Sequence, residues 1–166
     1  MIRREVNQDV ACSVVETHGA RRIHVVATPR AGKSVAEQTC DVLQAVRSAM
    51  ENHGASESIV QQSIFVADID QIDACRGAVT KVFDRAMPVT TYVPQPPCGD
   101  ASVAIEAFGL VSAGQSVRIE RWSEQLAVVH HDDVSWCHCG HVPPVHSNGS
   151  LYAGTLDAFG RMAELL

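Results

Sequence analysis

The chain has 166 residues, of which 46% are hydrophobic and 19% are charged, so it can bury the core of one ordinary domain. Thirteen basic residues against nineteen acidic ones give a net charge of −6, which excludes a chain-wide basic field for holding nucleic acid. No apolar run is long enough to span a bilayer, and no apolar stretch follows the charges near Met1 as it would in a secretory signal. We therefore expect a cytoplasmic protein without membrane or nucleic-acid partners, whose six cysteines are free thiols.

The first part of the chain predicts a hairpin followed by a long helix. The β-rich runs 10–16 and 22–27 are separated by a short segment containing glycine, which is typical of two antiparallel strands. Apolar residues at spacings of three and four over 35–50 predict one stripe of a helix. Ser34 and Glu37 form the pattern of a capping box at the start of that helix.

The next segment predicts one strand, a second helix and two further strands. Residues 59–67 are rich in strand formers, and apolar residues at helical spacing over 72–82 predict a helix that ends before Pro88. Residues 89–93 and 102–110 follow the period of two that is typical of strands. Because strands outnumber helices and often follow one another directly, the predicted fold class is α+β.

The C-terminal third predicts strands followed by a helix. Residues 117–121 and 126–130 have strand character, and a helix is expected from about Tyr152 to the C-terminus. One face of this last helix carries the apolar residues Leu156, Phe159, Met162 and Leu166.

Residues 27–34, ATPRAGKS, are close to a phosphate-binding loop that follows a strand and opens a helix. Ala27 stands where such loops carry glycine, and Pro29 restricts the backbone further. Only two helices are predicted before residue 110, whereas a parallel nucleotide-binding sheet needs a crossover helix after nearly every strand. We therefore expect a solvated Lys33 and a capping Ser34, and keep nucleotide binding as an alternative function.

Six short segments follow one another in a characteristic order along residues 10–110. They are VVA at 25–27, EQTCDVLQAV at 37–46, NHGAS at 52–56, SIFVAD at 63–68, PVTTYV at 88–93 and VAIEA at 103–107. In this order and spacing they resemble the RidA/YjgF family, small trimeric proteins that include reactive enamine/imine deaminases.

The resemblance implies a chorismate mutase-like mixed sheet with two helices on one face. It also implies a homotrimer or pseudo-trimer whose inter-subunit clefts bind a small metabolite, with no cofactor and no metal. The family's deaminases hold a substrate carboxylate with an arginine, whose planar fork donates two parallel hydrogen bonds, and position a water with a glutamate.

This chain departs from the family pattern at the residues that carry the chemistry. Thr90 occupies the position of the carboxylate-binding arginine, and Ala104 that of the glutamate. We expect Thr90 and Tyr92 to make polar contacts with the ligand and Arg76 to supply a displaced positive charge. Residues two apart share a face of a strand, so Glu106 beside Ala104 is the expected catalytic acid/base. The alternative for Arg76 is a solvated helix residue, and for Glu106 a side chain that faces solvent or a trimer contact.

The C-terminal third also resembles the beginning of a second RidA-like unit. Residues 155–157, TLD, repeat the pattern TCD of residues 39–41, and 134–143 resemble the family's strand-glycine-x-x-proline opening. We therefore predict two units, 1–112 and 113–166, the second being partial and comprising strands and a first helix. That helix is expected to leave part of its apolar face uncovered unless it packs on the first unit or on a neighbouring chain.

A cluster of metal-ligating residue types lies within residues 130–146. Its members are His130, His131, Asp132, Asp133, Cys137, His138, Cys139, His141 and His146. In a strand Cys137, Cys139 and His141 would share one face, but their spacing matches no usual structural zinc site. Buried cysteines that fill a strand face are the preferred interpretation, so no metal site and no cysteine nucleophile are predicted.

These patterns predict a RidA-like protein that binds a 2-iminoacid-like or 2-oxoacid-like metabolite, with weak or altered deaminase or hydrolase activity. The alternative on the same scaffold is a non-catalytic ligand-binding or assembly protein. The sequence leaves open whether the protein is an enzyme, because both family residues that carry the chemistry are replaced.

Overall fold

The computed structural model describes residues 2–7, 9–17, 19–29, 33–114, 116–131, 133–145 and 149–166. The first sheet contains Ile2–Val6 (β1), Val10–Thr17 (β2), Ala20–Ala27 (β3), Ile59–Val66 (β4), Val89–Val93 (β5) and Val103–Ser112 (β6). The second sheet contains Val117–Arg121 (β7), Leu126–His131 (β8) and Val134–Cys139 (β9). The α-helices are Val35–Glu51 (α1), Ile72–Phe83 (α2) and Leu151–Leu165 (α3), and the short 3-10 helices Ile69–Gln71 and Asp84–Ala86 flank α2.

The first sheet is mixed, with strand order β1-β2-β3-β6-β4-β5. Its neighbouring strands are antiparallel except β4 and β5, which run parallel because α2 lies in the connection between them. Helices α1 and α2 pack against each other and against one face of this sheet. The predicted α+β fold, a mixed sheet with two helices on one face, is confirmed.

Helix α1 begins where the sequence predicted. The Ser34 hydroxyl accepts a hydrogen bond from the backbone N–H of Glu37, and the Glu37 carboxylate accepts one from the backbone N–H of Ser34. These two bonds satisfy donors that the first turn of a helix leaves unpaired. Beyond the helix, Gly54 has a φ of 75°, the left-handed conformation that glycine adopts at low cost.

The main core lies between the two helices and the sheet. Strand residues Ile23, Ile64 and Ile105 are fully buried there, and so are Leu43 and Met50 of α1. The alternation of apolar residues in β3, β4 and β6 directs this set towards the helices.

The opposite face of the first sheet is partly covered by the second sheet. Ala127 and Val129 of β8 pack against Val60, Val89 and Leu110. The guanidinium of Arg121 in β7 also donates to the backbone oxygen of Ile59 at 2.9 Å. The two sheets therefore form a second, smaller core that places the C-terminal third against the first unit.

Of the elements at the two ends of the chain, the sequence predicted helix α3 but not strand β1. Strand β1 was not predicted, since its residues are exposed and it forms the edge of the sheet beside β2. Helix α3 was predicted, and it leaves Leu151, Tyr152, Leu156 and Phe159 exposed. A groove of about 760 Å³ separates α3 from the segment that follows β9. Within the described residues, no helix combines the length and the apolar character needed to cross a membrane.

The segment 27–34 is only partly described, because residues 30–32 lie outside the described residues. The Lys33 ammonium is paired with the Asp41 carboxylate at 2.6 Å on the surface of α1. Ser34 caps the helix, and β3 lies between two antiparallel neighbours. These contacts agree with the surface-loop interpretation of this segment and differ from the parallel sheet that a phosphate-binding loop requires.

Candidate functional site

A cavity of about 390 Å³ lies beside β5 and is called the edge cavity here. Its lining residues are Arg76, Thr80, Met87, Pro88, Thr90, Tyr92, Ser123, Glu124, Gln125 and His141. Three of the four predicted site residues, Arg76, Thr90 and Tyr92, thus lie around one cavity. The other wall comes from the turn between β7 and β8 and from the segment after β9.

Arg76 of α2 supplies a positive charge to the edge cavity. Its guanidinium carbon lies 5.4 Å from the ring centroid of Tyr92, within the range of a cation–π interaction. Its nearest carboxylate is that of the highly exposed Asp73, with a nitrogen–oxygen separation of 3.9 Å. A pair with that geometry contributes little, so the guanidinium keeps donors for an anionic ligand.

Tyr92 forms an apolar wall with a polar tip. Burial raises the pKa of Tyr92 to about 12, and the nearby positive charge of Arg76 opposes that shift. The Tyr92 ring also meets the His141 ring edge-on, with centroids 5.9 Å apart. Tyr92 is therefore a neutral phenol at physiological pH and can donate or accept a hydrogen bond.

Thr90 is buried, and its hydroxyl is engaged within the protein. It donates to the backbone oxygen of Pro88 at 2.9 Å and accepts from the Gln62 side-chain nitrogen at 2.9 Å. Only one of its lone pairs is left for a ligand. The position that carries arginine in the family pattern therefore serves mainly to connect β4 and β5.

The wall contributed by the second sheet was not predicted as part of this site. Glu124 and Gln125 lie in the β7–β8 turn, and the Gln125 side chain donates to the backbone oxygen of His141 at 2.6 Å. His141 has a φ of 47°, a left-handed conformation that is uncommon outside glycine. Glu124 thus brings a carboxylate, and His141 an imidazole, to the cavity that contains Arg76.

Glu106 does not lie in the edge cavity. It lines a separate cavity of about 560 Å³ between the open face of the first sheet and the second sheet, called the inter-sheet cavity here. Glu106 is exposed, and its side chain makes no hydrogen bond or ion pair with any described residue. The predicted acid/base and the predicted anion-binding arginine therefore face different cavities.

The cysteine and histidine cluster is dispersed over several surroundings. His138 lines the inter-sheet cavity, His141 the edge cavity, and Cys139 the groove against α3. Burial raises the pKa of the Cys139 thiol, which disfavours the nucleophilic thiolate. No group of three His, Cys, Asp or Glu among the described residues is placed to hold a metal ion, although Asp132 and His146 lie outside that part of the chain. All six cysteines lie within it and are unpaired.

Solved structures of several proteins are similar to this chain. A protein of Salmonella typhimurium, described as a candidate translation initiation inhibitor, is 22% identical, with a TM-score of 0.55 over 66% of this chain and 97% of that one. RidA from a Psychrobacter species is 15% identical, with a TM-score of 0.51 over 59% and 85% of the two chains. Rv2704 of Mycobacterium tuberculosis, a YjgF/YER057c/UK114 family member, is 30% identical, with a TM-score of 0.47 over 56% and 85%.

No curated protein sequence matches the chain. The sequence model described as Endoribonuclease L-PSP matches residues 19–110, more than half of the chain. The chain therefore belongs to the endoribonuclease L-PSP family, the RidA/YjgF family that its sequence resembles.

Proposed function

We propose that this protein binds a small 2-iminoacid or 2-oxoacid in the edge cavity and acts on it with weak or altered deaminase activity. The observation that carries the proposal is the convergence of Arg76, Tyr92, Glu124 and His141 on that one cavity. A family fold of this kind supports small-molecule binding or deaminase-like chemistry in general. The cation, the phenol and the acid at this site suit a ligand with a carboxylate at one end and an imine or carbonyl carbon at the other.

In this proposal Arg76 binds the carboxylate of the ligand. A carboxylate that approaches from the α2 side can accept two hydrogen bonds from the guanidinium while its apolar part rests against Tyr92. Thr90 contributes support to β5, since most of its hydroxyl's capacity is used by Gln62 and Pro88. The ligand would therefore be held from the helix rather than from the strand.

The acid/base role falls to Glu124 in place of the glutamate that Ala104 replaces. Glu106 was the candidate from sequence, but Glu124 is the carboxylate that shares a cavity with Arg76. A carboxylate in that position can orient a water towards the reacting carbon and transfer a proton. His141 is a second group in the same cavity able to carry a proton.

The cleft in this proposal is made within one chain. The family pattern assigns the second wall to a neighbouring subunit, and in this proposal residues 123–125, which line the edge cavity, supply that wall. Association into a homotrimer or pseudo-trimer, a cytoplasmic location and the tandem organisation belong to the same proposal. The unpaired state of all six cysteines, each within the described residues, supports the cytoplasmic location.

Calorimetric titration with 2-oxobutyrate tests the binding step. We expect saturable binding that Arg76→Ala weakens at least about tenfold, since a hydrogen bond to a charged group contributes about 1.5–3 kcal/mol. Lys81→Ala removes a charge from the same helix outside the cavity and is the matched control. Equal affinity of wild type and Arg76→Ala would exclude the edge cavity as the carboxylate site.

Ammonia release from an enzymatically generated 2-iminoacid separates the enzyme from the non-catalytic binder. Acceleration by the wild type that Glu124→Gln abolishes, while 2-oxobutyrate still binds, supports the enzyme. Saturable binding without acceleration supports the alternative, a ligand-binding protein on the same scaffold. Acceleration lost in Glu106→Gln but kept in Glu124→Gln would return the acid/base role to the inter-sheet cavity.

A further inference from the structure

The inter-sheet cavity is a second concave site with its own chemistry. Strands β3, β4 and β6 of the first sheet form one wall, and β8 and β9 form the other. Its volume of about 560 Å³ lies within the range of cavities that hold small ring compounds. None of the residues that line the edge cavity lines it, so its occupant is independent of the proposed 2-oxoacid site.

Flat aromatic surfaces line this cavity from both sheets. The ring centroids of His24 and Phe108 are 4.9 Å apart, and those of Phe108 and His138 are 5.4 Å apart with nearly parallel planes. From β9, the half-exposed indole of Trp136 carries the Arg22 guanidinium 5.1 Å from its centroid. Such surfaces bind planar rings by stacking.

The cavity also carries hydrogen-bonding groups with defined roles. His138 Nδ1 lies 3.0 Å from the Gln61 side-chain oxygen, which only accepts, so Nδ1 carries the proton of this pair. Burial lowers the pKa of His138, which keeps its ring neutral at physiological pH and leaves Nε2 as an acceptor. A neutral acceptor beside stacked rings matches the edge of a heterocycle better than it matches a simple anion.

Glu106 provides the charge that selects the ligand. Among the described residues it is the one carboxylate that lines the cavity, and none of them pairs with its side chain. A carboxylate is matched by two adjacent N–H donors, as in a bidentate pair with arginine. Planar heterocycles present the same fork when an amino group stands beside a ring N–H.

We propose that the inter-sheet cavity binds a planar nitrogen heterocycle whose adjacent amino and ring N–H groups donate to Glu106 while its ring stacks on the aromatic wall. The 2-amino-4-oxopyrimidine edge, present in guanine and in pterins, has this donor arrangement. Arg22 and Gln61 donate to the carbonyl oxygen that such an edge carries next to the ring N–H.

Two nucleosides that differ by one amino group test this assignment. Calorimetric titration of the wild type should give guanosine an affinity at least about tenfold higher than inosine, because inosine lacks the amino group. In Glu106→Gln the two affinities should differ by less than about threefold. Glu51→Gln, which removes an exposed carboxylate from α1, should leave the wild-type preference unchanged.

The aromatic wall is tested with Phe108→Leu, whose folding is checked by circular dichroism. It should weaken both nucleosides by a similar factor, because stacking does not depend on the amino group. The proposal is overturned if guanosine shows no saturable binding up to millimolar concentration. It is also overturned if Glu106→Gln keeps the full preference for guanosine over inosine.

Discussion

At the scale of single residues, the positive charge of the edge cavity comes from Arg76 of helix α2 and not from a residue of strand β5. The Thr90 hydroxyl of β5 is hydrogen-bonded to Gln62 and Pro88, whereas the Arg76 guanidinium of α2 lies against the face of the Tyr92 ring. With the guanidinium on α2, the cavity has a cation, and Thr90 of β5 is free to form a buried hydrogen bond with Gln62 of β4. We expect the ligand carboxylate to lie correspondingly closer to α2.

Tyr92 gives this cavity a measurable titration. Its pKa of about 12 lies above the ordinary value near 10, so between these values the folded protein keeps a proton that the unfolded chain has lost. The unfolded state then binds fewer protons, and the free energy of unfolding should fall as the pH rises from about 10 to 12. Urea unfolding across this range should give a midpoint that falls more steeply in wild type than in Tyr92→Phe.

The chain offers an internal control, because its other tyrosine, Tyr152, is 77% exposed on α3. In Tyr152→Phe only Tyr92 remains, and its phenol should ionise near pH 12 in ultraviolet titration. A normal titration of Tyr92 in the folded protein would contradict its burial against α2.

At the scale of elements, local sequence signals determined most of the fold. Ser34 and Glu37 mark the start of α1 because a capping box acts within one turn of helix. The predicted bounds 89–93 and 117–121 match β5, which is rich in β-branched residues, and β7, where apolar and polar residues alternate. Strand β1 carries no such pattern, since an exposed edge strand has no buried face to impose it.

The candidate site was predictable only on the side formed by the first unit. Arg76, Thr90 and Tyr92 were identified because they stand at positions where the family pattern has site residues, although this chain carries different residue types there. Glu124 lies in a short turn without a motif, and it reaches the cavity only because the second sheet packs on β5 and its neighbours. Ile105 and Ala107 of β6 belong to the core against the helices, so Glu106 lies on the opposite face of the strand and lines the inter-sheet cavity.

The packing of the second sheet on β5 depends on Gly140. A Cβ at that position would lie 2.6 Å from Val89 Cγ1 and 2.8 Å from Thr91 Oγ1, which is closer than atoms can approach. Gly140→Ala should therefore lower the free energy of unfolding by about 1–3 kcal/mol and weaken binding at the edge cavity. Urea unfolding and 2-oxobutyrate titration measure the two effects.

Gly77 of α2 is the matched control for this substitution. A Cβ there meets nothing within 4 Å, so Gly77→Ala should stabilise the protein by about 0.5–1 kcal/mol through helix propensity alone. If Gly140→Ala has the stability of the wild type while Gly77→Ala is stabilised, the second sheet does not pack on β5 as described.

At the scale of the whole molecule, the two sheets share one chain but differ in how completely their helices are covered. Leu43 of α1 is fully buried between the first sheet and α2. In the proposed repeat, where residues 155–157 correspond to 39–41, Phe159 takes the place of Leu43 and is 60% exposed. The Asp157 carboxylate of α3 accepts a hydrogen bond from the backbone N–H of Val145 at 2.7 Å.

The uncovered face of α3 leads to a prediction about self-association. When a second copy of the chain covers large apolar side chains that are exposed together on one helix, the burial of apolar surface favours association. We expect the wild type to sediment faster than a monomer at micromolar concentration. The double variant Leu156→Ser with Phe159→Ser should dissociate at least about tenfold more readily, and its circular dichroism should stay unchanged.

Ile69→Ser, at an isolated exposed residue outside α3, should sediment like the wild type. A wild type that is monomeric at every concentration would contradict the proposed association, and unchanged association in the double variant would assign it to a surface other than α3.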